Sequence, residues 1–149
     1  MTALLVDQNL LDYNEKVSKY WPEFGQNGKD DITVADVLRH ESGLAWLNCT
    51  LQKHDAHRSN IHKNVVGSIL EKEQAHFPQF AGPNKVPTKR EYHSLTRGLI
   101  LNEIVRRVDP KGRTIGEILA EVKSGQFNSQ LLLLLCLFPE HEKLFTTCF

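Results

Sequence analysis

The sequence predicts a mainly α-helical protein. Apolar residues recur at helical spacing along most of the chain, and helix-start signals precede three of these stretches. The alternation of apolar and polar residues that indicates strands is almost absent. The 149 residues are 40% hydrophobic and 24% charged, which is typical of one globular domain or of a piece of a larger one.

The first 22 residues predict two short helical segments. Residues 2–8 are typical of the last turns of a helix, which Asn9 ends in the left-handed conformation. Asp12, with Glu15 three positions later, predicts the start of a second helix, because both side chains can accept from its free backbone N–H groups. Pro22 ends that helix because it cannot donate a backbone hydrogen bond.

A short helix with both ends marked follows. Thr33 and Asp36 have the spacing of a capping box, in which each side chain accepts a hydrogen bond from the backbone of the other. Val37 and Leu38 are expected to face the core. Gly43 is predicted to stop the helix, since a positive φ costs glycine nothing.

An amphipathic helix of about four turns is predicted further along, ending before Pro78. It rests on residues spaced by four: Ile61, Val65, Ile69 and Glu73. Residues 81–89 contain two prolines and a glycine and predict a loop.

The helical spacing of leucine, isoleucine and valine over residues 91–108 predicts another helix, followed by a turn at residues 109–112. Thr114 and Glu117 then form a second capping box, which opens a last helix through Val122. Residues 123–149 lose this pattern, and we predict a divergent, poorly ordered tail there.

Composition excludes several classes of partner. Eighteen basic and eighteen acidic residues cancel, so the charge gives no indication of a nucleic-acid partner. The apolar run at residues 131–138 is much shorter than the ~20 residues that span a bilayer, so no membrane anchor is predicted. Three widely spaced cysteines indicate neither a disulfide framework nor a zinc ribbon, and a cytoplasmic setting is the default expectation.

Four stretches, in this order, carry a resemblance to a known family: LLVDQNLLDYNEKVSKYWPEF, GKDDITVADVLRHESGL, TKREYHSLTRG and EIVRRVDPKGRTIGEI. Together they resemble the serine β-lactamase-related proteins, which are relatives of class C β-lactamases, esterases and penicillin-binding proteins. The resemblance implies a β-lactamase/transpeptidase-like α/β fold, with an antiparallel sheet and a helical subdomain. We expect residues 1–122 to be a partial domain of this kind, chiefly the helical subdomain, with most of the sheet missing.

The resemblance also assigns two candidate catalytic residues. Tyr92 stands where the family has its motif tyrosine, which shares in proton transfer. His93 fills the variable middle position of the motif, and Ser94 replaces the usual asparagine. A tyrosine with an ordinary pKa near ~10 is a poor base unless nearby positive charge lowers that pKa.

The family's nucleophile is not found in these 149 residues. The resemblance implies a Ser-x-x-Lys motif ahead of residue 1, and no serine here has a lysine three positions on: Ser18, Ser42, Ser59, Ser68, Ser94, Ser124 and Ser129. The prediction is a truncated family member without catalysis in this form, in which Tyr92 is vestigial or works only in a longer version of the protein. The alternative is a small helical interaction module, which self-associates or binds a protein through exposed apolar faces.

Other polar and aromatic residues have structural interpretations. The group His54, Asp55, His57 and His62 matches no strong zinc spacing, so it predicts a solvated loop, and we expect no metal or cofactor. His40 is expected to serve the end of a helix, and Arg106 with Arg107 to form a solvated pair near a helix C-terminus. Both tryptophans are expected to pack inside: Trp21 and Trp46.

Overall fold

The computed structural model describes residues 1–76 and 90–123, and these are mainly helical, as predicted. Within them no strand is present, and Lys16 and Thr33 form an isolated antiparallel bridge. No helix among these residues is long and apolar enough to cross a membrane. The α-helices are α1 (Thr2–Asp7), α2 (Val17–Tyr20), α3 (Val34–Leu38), α4 (Val65–Lys72), α5 (Thr96–Val108) and α6 (Ile115–Lys123), and Pro22–Phe24 and Arg58–Lys63 are 3-10 helices.

The backbone forms two compact units, Met1–Gly112 and Arg113–Phe149. The first contains α1 to α5. In the second, the described residues form α6 and the capping residues before it. The predicted tail lies outside the described residues apart from Lys123, which ends α6, and so does the predicted loop at residues 81–89.

Local signals correctly located several helix ends. Both predicted capping boxes are formed: Thr33 exchanges hydrogen bonds with Asp36, and Thr114 with Glu117. Asn9 follows α1 with a φ of 58°. The prediction that a helix starts at Asp12 was wrong, because its carboxylate accepts the Asn14 N–H in a turn and α2 begins later.

Three other boundaries differ from the sequence predictions. Gly43 does not stop α3, because the chain already turns at His40, whose φ is 65°. The predicted four-turn helix is divided at Asn64, where a φ of 57° separates the 3-10 helix from α4. Helix α5 starts at Thr96 rather than at residue 91, because the backbone N–H of Glu91 donates to the His40 carbonyl.

Helix α5 packs against α2, α3 and α4. The apolar core of the first unit includes Leu5, Val17, Trp21, Phe24, Ile32, Val37, Leu44, Leu70, Ile100 and Ile104. Trp21 is fully buried, as predicted, whereas Trp46 is 44% exposed. The Trp46 ring stacks on His76 with 4.3 Å between ring centroids, so its packing partner is a surface side chain.

The predicted solvated arginine pair is instead part of a largely buried charge cluster. Glu103, on the preceding turn of α5, accepts from Arg106 at 2.7 Å and from Arg107 at 2.5 Å. The Arg107 guanidinium lies 4.1 Å from the centroid of the Trp21 ring, and the Trp21 indole donates to Glu71 at 2.8 Å. Helix positions three and four apart share a face, so Glu103 holds both arginines beside Asn64, the residue before α4, and Arg107 also against Trp21.

A buried histidine joins the loop after α3 to the segment before α5. Nε2 of His93 lies 2.8 Å from Ser42 Oγ and accepts from the Leu44 N–H at 3.2 Å. Nδ1 therefore carries the proton and donates to the Glu91 carbonyl. Burial lowers the pKa of His93, so the ring is held neutral. We call these hydrogen bonds to Ser42, Leu44 and Glu91 the His93 clamp.

We expect Glu103→Ala to destabilise the protein by about 3–5 kcal/mol, because it removes the carboxylate that two mostly buried guanidinium groups share. Urea unfolding measures the change. The control is Glu15→Ala, which breaks the exposed ion pair with Lys19 and should cost at most about 0.5 kcal/mol. Equal losses in the two variants would contradict the role given to Glu103.

We expect the free energy of unfolding to fall as pH drops from 7 to 5.5. The pKa of His93 is lower in the folded than in the unfolded state, so the unfolded chain binds more protons as pH falls below about 6.5. The pKa of His40 is also lowered in the folded state, so His40 contributes to the pH dependence in the same direction. His93→Asn should reduce this dependence on pH, whereas His54→Asn, which alters a 78% exposed side chain, should leave it intact. An undiminished dependence in His93→Asn would refute the assignment.

Candidate functional site

The two predicted site residues lie on a short segment directly before α5. Tyr92 is 71% exposed, and Ser94 is also exposed. Between them, His93 is only 2% exposed because the His93 clamp holds it inside. The clamp thus presents the phenol of Tyr92 and the hydroxyl of Ser94 on the surface.

His40 supports the Tyr92 ring from the loop after α3. The two ring centroids are 4.9 Å apart, with the planes tilted by 38°. Nδ1 of His40 accepts the backbone N–H of His93 at 2.9 Å, which fixes the imidazole in place. His40 was expected to satisfy carbonyls at a helix end, but its side chain instead accepts from the His93 backbone and contacts the candidate tyrosine.

Arg97 contacts the other ring nitrogen of the His40 imidazole. Its Nη1 lies 2.9 Å from His40 Nε2. Burial, with a further contribution from the Arg97 charge, lowers the pKa of His40, so this imidazole is neutral near pH 7. The site therefore joins a phenol, a neutral imidazole and a guanidinium through two consecutive contacts.

A buried glutamate ties the same two segments together. Glu41 accepts from Arg39 at 2.7 Å and from Arg90 at 2.6 Å. Burial raises the pKa of this carboxyl group, but the hydrogen bonds from the two arginines outweigh that effect and lower it. Since Arg90 is two residues before Tyr92, this ion pair helps hold residues 90–95, which we call the tyrosine segment, beside His40.

Ser42 and His93 have the contact of a serine with its general base, but the pair is closed to substrate. The serine is fully buried and the histidine is 2% exposed. Nε2 of His93 also accepts from the Leu44 backbone. A nucleophile needs both an available base and access to the substrate, so this pair is structural.

The sequence alone did not predict this pair or the contacts that His40 and Arg97 make. Ser42 and His93 are 51 positions apart, whereas the Ser-x-x-Lys motif places the partner of the serine only three positions after it. The one available signal was that both residues belong to stretches that carry the family resemblance, HESGL and YHSLTRG.

The histidine-rich stretch forms local contacts. His54 lies 3.2 Å from the Asp55 carboxylate, and His57 Nδ1 lies 2.9 Å from Ser59 Oγ. Across residues 1–76 and 90–123, no group of three or more histidine, cysteine or acidic side chains is placed to hold a metal ion.

Comparison with known proteins gives consistent matches. The family model described as Beta-lactamase matches residues 1–122. The esterase/beta-lactamase LipL of Mycobacterium tuberculosis (strain ATCC 25618 / H37Rv) is 34% identical over 107 residues, which are 72% of this chain and 22% of LipL.

Solved structures show the same relationship. A family VIII carboxylesterase superposes with a TM-score of 0.65 and 30% sequence identity, over 79% of this chain and 29% of that one. A penicillin-binding protein homologue from Caulobacter crescentus gives a TM-score of 0.63 and 34% identity, over 80% and 29% of the two chains. The protein thus spans less than a third of these relatives. Its helices correspond to part of a β-lactamase/transpeptidase-like fold, and the chain belongs to the beta-lactamase family.

Proposed function

We propose that this chain supplies the tyrosine-bearing part of a serine hydrolase site of the esterase/β-lactamase type. We also propose that the 149-residue polypeptide alone does not catalyse acyl transfer. The first statement rests on the exposed Tyr92 ring. This ring contacts His40, which in turn accepts the backbone N–H of His93. The second rests on the missing Ser-x-x-Lys motif.

Acyl transfer through a serine requires an activated hydroxyl, a base within hydrogen-bond reach, and donors aimed at the developing oxyanion. Tyr92 is the candidate for the base, and Ser94 occupies the place of the motif asparagine. Ser42 cannot serve as the nucleophile because it is fully buried. Without a nucleophile, the remaining groups have no acyl intermediate to form or resolve.

The reaction class follows from the relatives. LipL is an esterase/beta-lactamase, and one structural neighbour is a carboxylesterase. Both reactions pass through attack on a carbonyl carbon, so the same tyrosine position suits either. We propose residues 1–122 as the family-derived unit and residues 123–149 as a separate tail.

A second candidate function is self-association. Three large apolar side chains are exposed in the described part of the chain: Trp46, Tyr92 and Leu95. Two of these lie in the tyrosine segment, so a second copy that covered them would also cover Tyr92. Exposed apolar groups favour association when they form a contiguous surface.

The isolated chain should show no hydrolysis of p-nitrophenyl butyrate or of a chromogenic β-lactam, and no serine labelling by a fluorophosphonate, because no serine in the sequence belongs to a Ser-x-x-Lys motif. Absorbance measures the hydrolysis, and mass spectrometry measures the covalent labelling. Covalent labelling with turnover would overturn the proposal. Light scattering on the same sample tests the second candidate, which requires a mass that increases with protein concentration.

Tyr92 should be required when the rest of the site is provided. In a chimera, residues 1–122 replace the matching segment of the family VIII carboxylesterase, whose own nucleophile is retained. Tyr92→Phe should lower kcat for p-nitrophenyl butyrate by about 10²–10⁴-fold, the usual contribution of a positioned acid or base. The matched control is Tyr13→Phe, outside the tyrosine segment. Equal activity of the Tyr92→Phe and parent chimeras would reject the catalytic role.

A further inference from the structure

The backbone of His40 adopts a conformation that normally favours glycine. Its φ is 65°, in the left-handed region that residues other than glycine seldom enter. His40 directly follows Arg39, which caps the end of α3, and helices commonly end at this position with a left-handed glycine. Histidine costs more backbone free energy there than glycine, and such a conformation persists only where surrounding contacts enforce it.

The His40 imidazole supplies contacts that glycine would lack. Nδ1 accepts the backbone N–H of His93 at 2.9 Å, and Nε2 lies 2.9 Å from Arg97 Nη1. These contacts at the two ring nitrogens fix the direction of the imidazole. The Tyr92 ring lies 4.9 Å away between centroids, so it meets an imidazole that is already held in place.

The His93 clamp by itself does not orient the Tyr92 side chain. The clamp fixes the backbone on either side of Tyr92, through the Glu91 carbonyl and the buried His93 ring. Tyr92 is 71% exposed, and rotation about its χ1 has three staggered minima. Among the described residues, His40 provides the nearest aromatic ring contact of Tyr92, so this contact is available to select one of the three.

We propose that His40 is a positioning residue, which holds the Tyr92 phenol in one orientation for proton transfer in the proposed site. A catalytic base must lie within hydrogen-bond reach of the proton that it takes, and a small displacement from that geometry lowers the rate steeply. The use of this orientation in proton transfer rests on the proposed function, whereas the orienting contact is a property of the chain itself.

NMR of the full chain with ¹³C-labelled tyrosine tests the orienting contact, and the Tyr92 signals are assigned by their loss in Tyr92→Phe. We expect a nuclear Overhauser effect between the His40 and Tyr92 rings, and unequal Hα–Hβ couplings of Tyr92 that indicate one χ1 rotamer. His40→Gly suits the left-handed backbone but removes the ring, so the couplings should become averaged. His40→Asn also tolerates this backbone and keeps an acceptor for the His93 N–H, but it should average the couplings too because it has no ring.

His54→Asn is the matched control and should leave the Tyr92 couplings unchanged, since the His54 side chain is 78% exposed and lies outside the tyrosine segment. Unchanged signals of Tyr20, whose hydroxyl accepts the Asp12 N–H, show that each variant keeps the fold. The proposal is overturned if the two rings of the parent chain show no Overhauser effect, or if either His40 variant keeps the unequal couplings. None of these measurements involves a substrate, so the positioning role and the Tyr92 chimera test fail separately.

Discussion

The neutral, buried imidazole of His93 is the constraint on which the candidate site depends. It accepts hydrogen bonds from the loop after α3 and donates one to the segment before α5. A protonated ring would have no acceptor nitrogen for Leu44 and would carry a charge in a site shielded from water, which is costly. The exposure of Tyr92 follows from this burial, because a residue next to an inward-facing side chain is turned outward.

Electrostatics also organises the interior around α5. Glu103 binds two arginines, one of which covers the Trp21 ring. Lys29 is buried and donates to the carbonyl oxygens of Glu71 and Glu73, and burial lowers its pKa to about 8. Hydrogen bonds have required directions, so these contacts restrict how the helices can meet more narrowly than apolar packing does. We infer that the cluster specifies the arrangement of α2, α4 and α5.

The candidate site brings together a phenol, an imidazole and a guanidinium. The Ser-x-x-Lys motif that would supply an activated nucleophile does not occur in the 149 residues. The chain spans 22% of LipL and 29% of the carboxylesterase, and under our proposal it contributes one part of a hydrolase site.

Local patterns in the sequence were enough to predict the helical class, both capping boxes and the left-handed Asn9. These features depend on residues within about four positions of one another. Contacts between distant segments instead set the break at Asn64, the burial of Arg106 and Arg107, and the pairing of Ser42 with His93. Those outcomes depend on partners about 40 to 50 positions away. Local spacing cannot specify such contacts, because residues that far apart in the sequence meet only when the whole chain folds.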